Sequence, residues 1–147
     1  MPLLCVSHLS VQFRTPAGWR TVVDDVSFDI EAGQTLAVVG ESGSGKSVTA
    51  LSVMGLLPEG LGRASGKIAF DGTDLLALPE RQMERIRGND IAMIFQEPMT
   101  SLNPVLSVGR QIAEPIVRHR GLSRRAALAE AVRLMDRVRI PAATERA

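Results

Sequence analysis

The chain has 147 residues, of which 45% are hydrophobic and 22% charged, a balance that is ordinary for a globular domain and argues against intrinsic disorder. No uninterrupted apolar run approaches the roughly 20 residues that a membrane-spanning helix needs. The first ten residues, MPLLCVSHLS, lack the basic region of a signal peptide, so we expect a cytosolic protein. The single cysteine, Cys5, excludes an internal disulfide and is interpreted as a small buried residue.

The net charge of +1 conceals an uneven distribution of charge along the chain. Residues 1–109 carry 8 basic and 12 acidic groups, whereas residues 110–147 carry 9 and 4. Such a basic segment can indicate a nucleic-acid or membrane-surface partner. Because residues 110–147 contain no aromatic side chain to stack on bases, the pattern favours arginines on the solvent face of a helix.

The first half of the chain predicts a hairpin followed by a strand, a loop and a helix. Partly alternating apolar residues over 3–13 and 20–30, separated by a Pro-Ala-Gly turn, predict an antiparallel β-hairpin. The nearly all-apolar run Thr35–Val39 is typical of a strand buried on both faces of a parallel sheet. Residues 46–57 then predict a helix with Val48, Leu51, Ser52 and Gly55 at helical spacing.

The second half predicts two more strands and then a change to helix. The strands are expected at 67–70 and at 91–95, the latter buried, with a charged surface helix over 79–87 between them. After Pro104 we expect a helix over 108–120 and another that Ser123 caps and Pro141 ends. The apolar face of the last helix is predicted from the spacing of its larger side chains, Leu128, Val132, Met135 and Val138.

One segment carries recognisable chemistry, the glycine-rich loop between the predicted strand 35–39 and the helix that follows. It matches the phosphate-binding pattern G-x-x-x-x-G-K-[ST] and reads Gly40, Glu41, Ser42, Gly43, Ser44, Gly45, Lys46, Ser47. Glycines allow positive φ and bring backbone N–H groups to the phosphate oxygens. The helix dipole favours the β-phosphate, Lys46 is expected to reach the β and γ oxygens, and Ser47 to ligate magnesium.

The alternative for this loop is a flexible connector that leaves Lys46 as a solvated lysine at the start of a helix. A connector needs neither a buried apolar strand before it nor an apolar-faced helix after it. That context therefore favours a nucleotide site.

A second landmark narrows the family. The segment 94–104, IFQEPMTSLNP, resembles the Q-loop of ABC transporter ATPases, in particular the branch that imports oligopeptides, dipeptides, glutathione and nickel. The phrase Asp25-Val26-Ser27-Phe28 followed by Gly33, and the stretch QIAEPIVRHRGLSRRAA, are similar to that branch as well. The resemblance spans essentially residues 3–147.

This resemblance implies a fold and a set of roles. The fold is an α/β P-loop NTPase of the ABC nucleotide-binding type, with the N-terminal antiparallel hairpin, RecA-like core strands and the start of the helical subdomain. Gln96 would contact magnesium and the attacking water, and relay the nucleotide state to a membrane subunit. Phe13 stands where the family places an aromatic that stacks on adenine, with packing into the sheet as its alternative and Trp19 as the rival stacker.

The resemblance covers about the front half of such a domain, so we expect an incomplete unit. Residues 1–104 would be the partial core, with hairpin, phosphate loop and Q-loop, and residues 105–147 the beginning of the helical subdomain. We find no LSGGQ-like signature, Walker B strand, D-loop or switch histidine. His8 and His119 are interpreted as surface residues. The expectation is binding of MgATP without turnover by this chain alone.

The first functional hypothesis is the ATP-binding subunit of a peptide-class importer, at the cytoplasmic face of the inner membrane. Its partners would be permease subunits and a second ATP-binding subunit, with no nucleic acid and with membrane association through partners only. The second is a non-hydrolysing nucleotide-binding or interaction module. A soluble P-loop enzyme acting on nucleic acid is disfavoured by the near-zero net charge and by the Q-loop match. Peptide, glutathione and nickel cargo remain open.

Overall fold

A computed structural model describes residues 2–96 and 101–147. The chain divides into two compact units, of which the first ends at Arg87 and the second begins at Gly88. The first unit contains a β-sheet and two short helices, and the second consists of helices and irregular chain. None of the described helices is long and apolar enough to cross a membrane.

The sheet of the first unit has four strands in the order β2-β1-β3-β4, and each neighbouring pair is antiparallel. The strands are β1 (Leu4–Thr15), β2 (Gly18–Ile30), β3 (Gly62–Phe70) and β4 (Thr73–Asp74). The predicted hairpin is confirmed, with a turn at residues 16–17. The strand predicted over 67–70 begins five residues earlier, at Gly62, because β3 pairs with β1 from its first residue to its last, with an irregularity at Gly66.

One face of this sheet forms the core of the first unit. The side chains of Val6, Leu9, Val11 and Ile68 are at most 1% exposed. Helix α1 (Lys46–Val53) supplies further buried residues, Thr49, Ser52 and Val53. The buried face of α1 thus includes Ser52, as predicted, but the predicted Val48 and Leu51 are only half-buried. A 3-10 turn (Leu75–Ala77) and helix α2 (Glu80–Ile86) complete the unit.

Two predicted core strands are not formed. Residues 35–39 have no regular secondary structure, and 91–95 show only an isolated bridge at Ile91. Their apolar side chains face solvent: Val39 is 89% and Ile94 97% exposed. A strand of a parallel sheet requires neighbouring strands for its hydrogen bonds. The four described strands all belong to the antiparallel sheet, and none of them pairs with either segment.

The second unit is built on a pair of helices. Helix α3 (Val108–Arg120) matches the predicted bounds, and helix α4 (Arg124–Arg137) and the short α5 (Ala143–Arg146) follow. Ser107 and the predicted Ser123 cap α3 and α4, their hydroxyls accepting from the N–H groups of Arg110 and Ala126. Gly121, with φ of +64°, ends α3 in the left-handed conformation.

The buried face of α4 matches the predicted one at Met135, but Val132 is half-buried and the other two predicted residues are exposed. Ala127, Ala131 and Met135 are at most 1% exposed, whereas Leu128 is 37% and Val138 69% exposed. Ala127 and Ala131 form one cluster with Ala113 and Ile116 of α3. Small residues allow two helices to approach closely. Ala127 and Ala131 therefore lie at the interface with α3 in place of larger side chains.

Three predictions about single residues concern burial. Cys5 is half-buried, with its Sγ 3.4 Å from the hydroxyl oxygen of Ser7. His8 is exposed, as expected, and its Nδ1 lies 2.7 Å from a carboxylate oxygen of Asp25. His119, interpreted as a surface residue, is half-buried within the second unit, where Gly88 approaches its ring.

Candidate phosphate-binding site

The glycine-rich loop connects the irregular segment after β2 to the first turn of α1. Gly43 and Gly45 have φ of +82° and +94°, a region that side chains with a Cβ rarely adopt. Between them the Ser44 N–H donates to the Glu41 carbonyl at 3.2 Å and forms a tight turn. Gly45 then occupies the N-cap position of α1. The predicted strand before the loop is absent, but the predicted turn into the helix is present.

Gly45 also allows the loop to lie close against the sheet. A Cβ at this position would come within 2.9 Å of the Val23 Cγ2 and 3.0 Å of the Val22 carbonyl oxygen, both in β2. Val23 is itself buried, at 5% exposure. The start of α1 is therefore held against the edge strand β2, at a spacing that only glycine permits.

Lys46 folds back over the loop. Its Nζ donates to the carbonyl oxygens of Gly40 at 2.7 Å and Glu41 at 2.8 Å, and to the Ser44 hydroxyl at 3.3 Å. These three hydrogen bonds hold the ammonium group against the backbone of the loop. Because an ammonium group has three donors, a phosphate oxygen bound by Lys46 would replace one or more of these bonds.

The amino end of α1 has the electrostatics that an anion requires. The first turn contains no acidic side chain, and Ser47 within it is solvent-exposed. Thr49 donates to the Gly45 carbonyl through both its N–H, at 2.8 Å, and its hydroxyl, at 3.0 Å, which fixes this turn. Free N–H groups and the helix dipole at such an end favour phosphate.

A magnesium ion at this loop would depend on the phosphates. Within residues 2–96 and 101–147 no group of three or more His, Cys, Asp or Glu side chains could hold a metal ion. Magnesium is commonly held by one or two protein oxygens together with substrate phosphates and water. The exposed Ser47 hydroxyl beside a phosphate cradle fits that donor set.

The two aromatic candidates for adenine stacking have different surroundings. Phe13 is half-buried, and its Cε1 lies 3.0 Å from the position that a Cβ on Gly62 would take. Trp19 is 41% exposed and carries the Arg63 guanidinium 4.1 Å from its ring centroid. Gln12 fixes that guanidinium by accepting from Nε at 2.9 Å and from Nη2 at 2.6 Å.

The predicted site residues are divided between the two units. Residues 40–47 form one loop in the first unit, whereas Gln96 is an exposed residue of the second unit. Residues 97–100 of the predicted Q-loop segment lie outside the described residues. The roles assigned to Gln96 and Phe13 therefore stay predictions.

A contact that sequence reasoning missed lies at the other end of α1. Arg87 donates from Nε to the Met54 carbonyl at 2.6 Å and from Nη2 to the Gly55 carbonyl at 2.9 Å. The same guanidinium forms a two-pronged ion pair with Glu80. Its hydrogen bond, and secondarily its charge, hold the pKa of the Glu80 carboxyl below the ordinary value. No spacing rule signals a contact across more than thirty residues.

Comparison with known proteins identifies a family and its relatives. The family described as ABC transporter matches residues 23–147. Among curated proteins, a Brucella abortus protein provisionally named a peptide import ATP-binding protein is 52% identical over 99% of this chain and 44% of its own length. The oligopeptide transport ATP-binding protein OppD of Salmonella typhimurium is 49% identical over 98% of this chain and 43% of its length.

A solved structure supports the fold. The ATP-binding cassette MJ0796, in a dimeric post-hydrolysis state bound to ADP and Pi, superposes with a TM-score of 0.73 at 19% identity. The match covers 90% of this chain and 56% of that one. This chain thus spans less than half the length of the curated relatives described above.

Proposed function

Since the chain belongs to the ABC transporter family, we propose that its glycine-rich loop binds MgATP and that it serves as the ATP-binding subunit of a peptide-class importer. The fold is that of an ABC nucleotide-binding domain, with relatives named for peptide import. The observation that carries the proposal is the cradle at residues 40–47. There Lys46 is ordered over a loop whose two left-handed glycines lead into a helix amino end.

Each residue of the proposed site has a defined task. The backbone N–H groups of the loop and of the first turn of α1 bind the β-phosphate, and Lys46 neutralises the β and γ oxygens. Ser47 supplies a hydroxyl oxygen to the magnesium ion that accompanies the phosphates. Gln96 approaches that metal and the attacking water, and Phe13 stacks on adenine, as proposed from the family resemblance.

The wider assembly follows from the same resemblance. We place residues 1–104 in the nucleotide-binding core and residues 105–147 in the helical subdomain. The subunit pairs with a second ATP-binding subunit and with membrane permeases, and it lies peripherally at the cytoplasmic face of the inner membrane through those partners. Closure of the dimer on ATP drives transport of a peptide-class substrate.

Nucleotide binding is tested by titrating a fluorescent ATP analogue in the presence of magnesium. Lys46→Ala is expected to weaken binding by roughly tenfold to hundredfold, because it removes a charged donor worth about 1.5–3 kcal/mol. The chain has only one other lysine, Lys67, an exposed residue of β3. Lys67→Ala therefore serves as the matched control and should bind as the parent does.

Each outcome has a distinct meaning. Equal weakening of binding by both variants would mean that the affinity depends on net charge alone. That result would contradict a specific phosphate site at residues 40–47. Absence of binding by the parent chain would contradict the proposal itself. Phosphate release measured in parallel tests the expectation of binding without turnover, and release that depends on Lys46 would contradict the non-hydrolysing alternative.

A further inference from the structure

The carboxyl end of α1 is closed by a specific backbone motif. The Leu56 N–H donates to the Leu51 carbonyl at 2.9 Å and the Gly55 N–H to the Ser52 carbonyl at 3.1 Å, with Gly55 at φ of +61°. This is the Schellman arrangement of a helix end. The predicted helix to residue 57 therefore ends at Val53.

Arg87 satisfies the two carbonyls at this end. Its Nε and Nη2 bind the oxygens of Met54 and Gly55, and its side chain is only 18% exposed. Glu80, one helix length earlier in α2, orients the guanidinium through both carboxylate oxygens. A planar guanidinium can make all these bonds at once, whereas a lysine ammonium cannot hold the same fork.

Helix α2 is packed so that Arg87 reaches this position. Met83 is 3% exposed, and its Cε lies 3.3 Å from where a Cβ on Gly55 would be. The Arg87 N–H donates to the Met83 carbonyl at 2.9 Å and ends α2. Buried Met83 thus lies against the end of α1, and the guanidinium is held by the two carbonyls and by the ion pair with Glu80.

A helix of eight residues needs such support at both ends. Isolated helices shorter than about 12 residues are marginal in water. The amino end of α1 is held by the approach of Gly45 to β2, and the carboxyl end by Arg87. A rod about 12 Å long transmits a tilt at one end directly to the other.

We infer that Arg87 is a positioning residue for the proposed nucleotide site: by holding the carboxyl end of α1, it sets the orientation of the phosphate-binding N–H groups at the amino end. The inference rests on the proposed binding of MgATP at residues 40–47. Arg87 makes this contribution without contact to the nucleotide.

The test compares MgATP affinity with stability in a set of variants of the 147-residue chain. Arg87→Gln is expected to weaken binding at least about fivefold, since charged hydrogen bonds are lost. Arg85→Gln, a control on the exposed surface of the same helix, should leave affinity unchanged. Ile68→Val removes buried volume from the sheet and controls for a general loss of stability.

If Arg87 only stabilises the fold, MgATP affinity should follow stability. Ile68→Val and Arg87→Gln would then each weaken binding in proportion to the decrease in their unfolding midpoints. That result, or parent-like affinity in Arg87→Gln, overturns the inference. If Arg87→Gln does not fold, the MgATP affinities of Arg87→Lys and Glu80→Gln test the inference instead. Both should show intermediate weakening, and parent-like binding in both overturns the inference as well.

Hydrogen exchange of the nucleotide-free chain separates this inference from the proposed function. The amides of Thr49 and Ala50 in the middle of α1 should exchange faster in Arg87→Gln than in Ile68→Val. Unchanged exchange there contradicts the positioning role whether or not the chain binds nucleotide. Faster exchange in a chain that fails to bind MgATP leaves the positioning role intact and removes only the proposed function.

Discussion

At the scale of single residues, the two left-handed glycines of the loop differ in what surrounds them. Gly43 and Gly45 both have φ near +90°, but a Cβ on Gly43 would meet nothing within 4 Å. A Cβ on Gly45 would meet the Val22 backbone and the Val23 side chain at 3.0 Å or less. One glycine is therefore required for its conformation alone, and the other also for its lack of volume.

This difference predicts unequal costs for the same substitution. Gly43→Ala should lower the free energy of unfolding by about 1–2 kcal/mol, the cost of a Cβ in the left-handed region. Gly45→Ala should cost about 1–3 kcal/mol more, because β2 backbone must shift. Urea unfolding followed by the fluorescence of the single tryptophan, Trp19, measures both. Equal costs would mean that the loop does not lie against β2.

At the scale of elements, the packing of α3 on α4 depends on small side chains. Ala127 and Ala131 are fully buried, and Met135 lies one turn further on the same face. Leu128, which the periodicity places on the apolar face, is 37% exposed. Sequence periodicity weighs residues by hydrophobicity, whereas close helix packing also rewards small size. The helix and the burial of Met135 were predictable from the sequence, but the burial of Ala127 and Ala131 in place of Leu128 was not.

Two truncations on α4 test this orientation. Met135→Ala should lower the free energy of unfolding by about 2–5 kcal/mol through the cavity that it leaves. Leu128→Ala removes a half-exposed side chain and should cost at most about 0.5 kcal/mol. Thermal unfolding followed by circular dichroism at the helical band measures both variants. Met135 lies on both the predicted and the observed face, so Met135→Ala is the reference and Leu128→Ala decides between the two faces. A cost for Leu128→Ala comparable to that of Met135→Ala would favour the face predicted from the sequence.

At the scale of the whole molecule, the strands of the antiparallel sheet in the first unit pair with one another, while the apolar segment 35–39 pairs with none of them. Within the part of the chain that the structure describes, no backbone hydrogen bond is made by the N–H groups of 35–39. The antiparallel strands, in contrast, are paired over most of their length.

Hydrogen exchange measured on the chain tests this contrast. The amides of 35–39 are expected to exchange at nearly the rate of an unstructured peptide, because they are exposed and unbonded. The amides of Val6 and Val11 in the middle of the sheet should be strongly protected. Comparable protection in the two regions would show that 35–39 pairs as a strand, as its apolar composition alone predicts.

The sequence by itself determined the local features: the hairpin with its turn, the bounds of α3, the cap at Ser123 and the glycine-rich turn that leads into α1. Each depends on residues that are close along the chain and on side-chain chemistry that acts within a few positions. The Q-loop resemblance was equally readable, and family membership is confirmed by the match over residues 23–147.

Only the tertiary structure decided the contacts between distant segments. The approach of Gly45 to β2, the buried face of α4 and the hold of Arg87 on the carbonyls of Met54 and Gly55 arise from packing between elements. The same cause explains the two strands that were predicted but not formed. A buried strand is stabilised by neighbouring strands that lie far away in the chain. Its own apolar residues favour a strand, but the strand forms only where those neighbours pair with it.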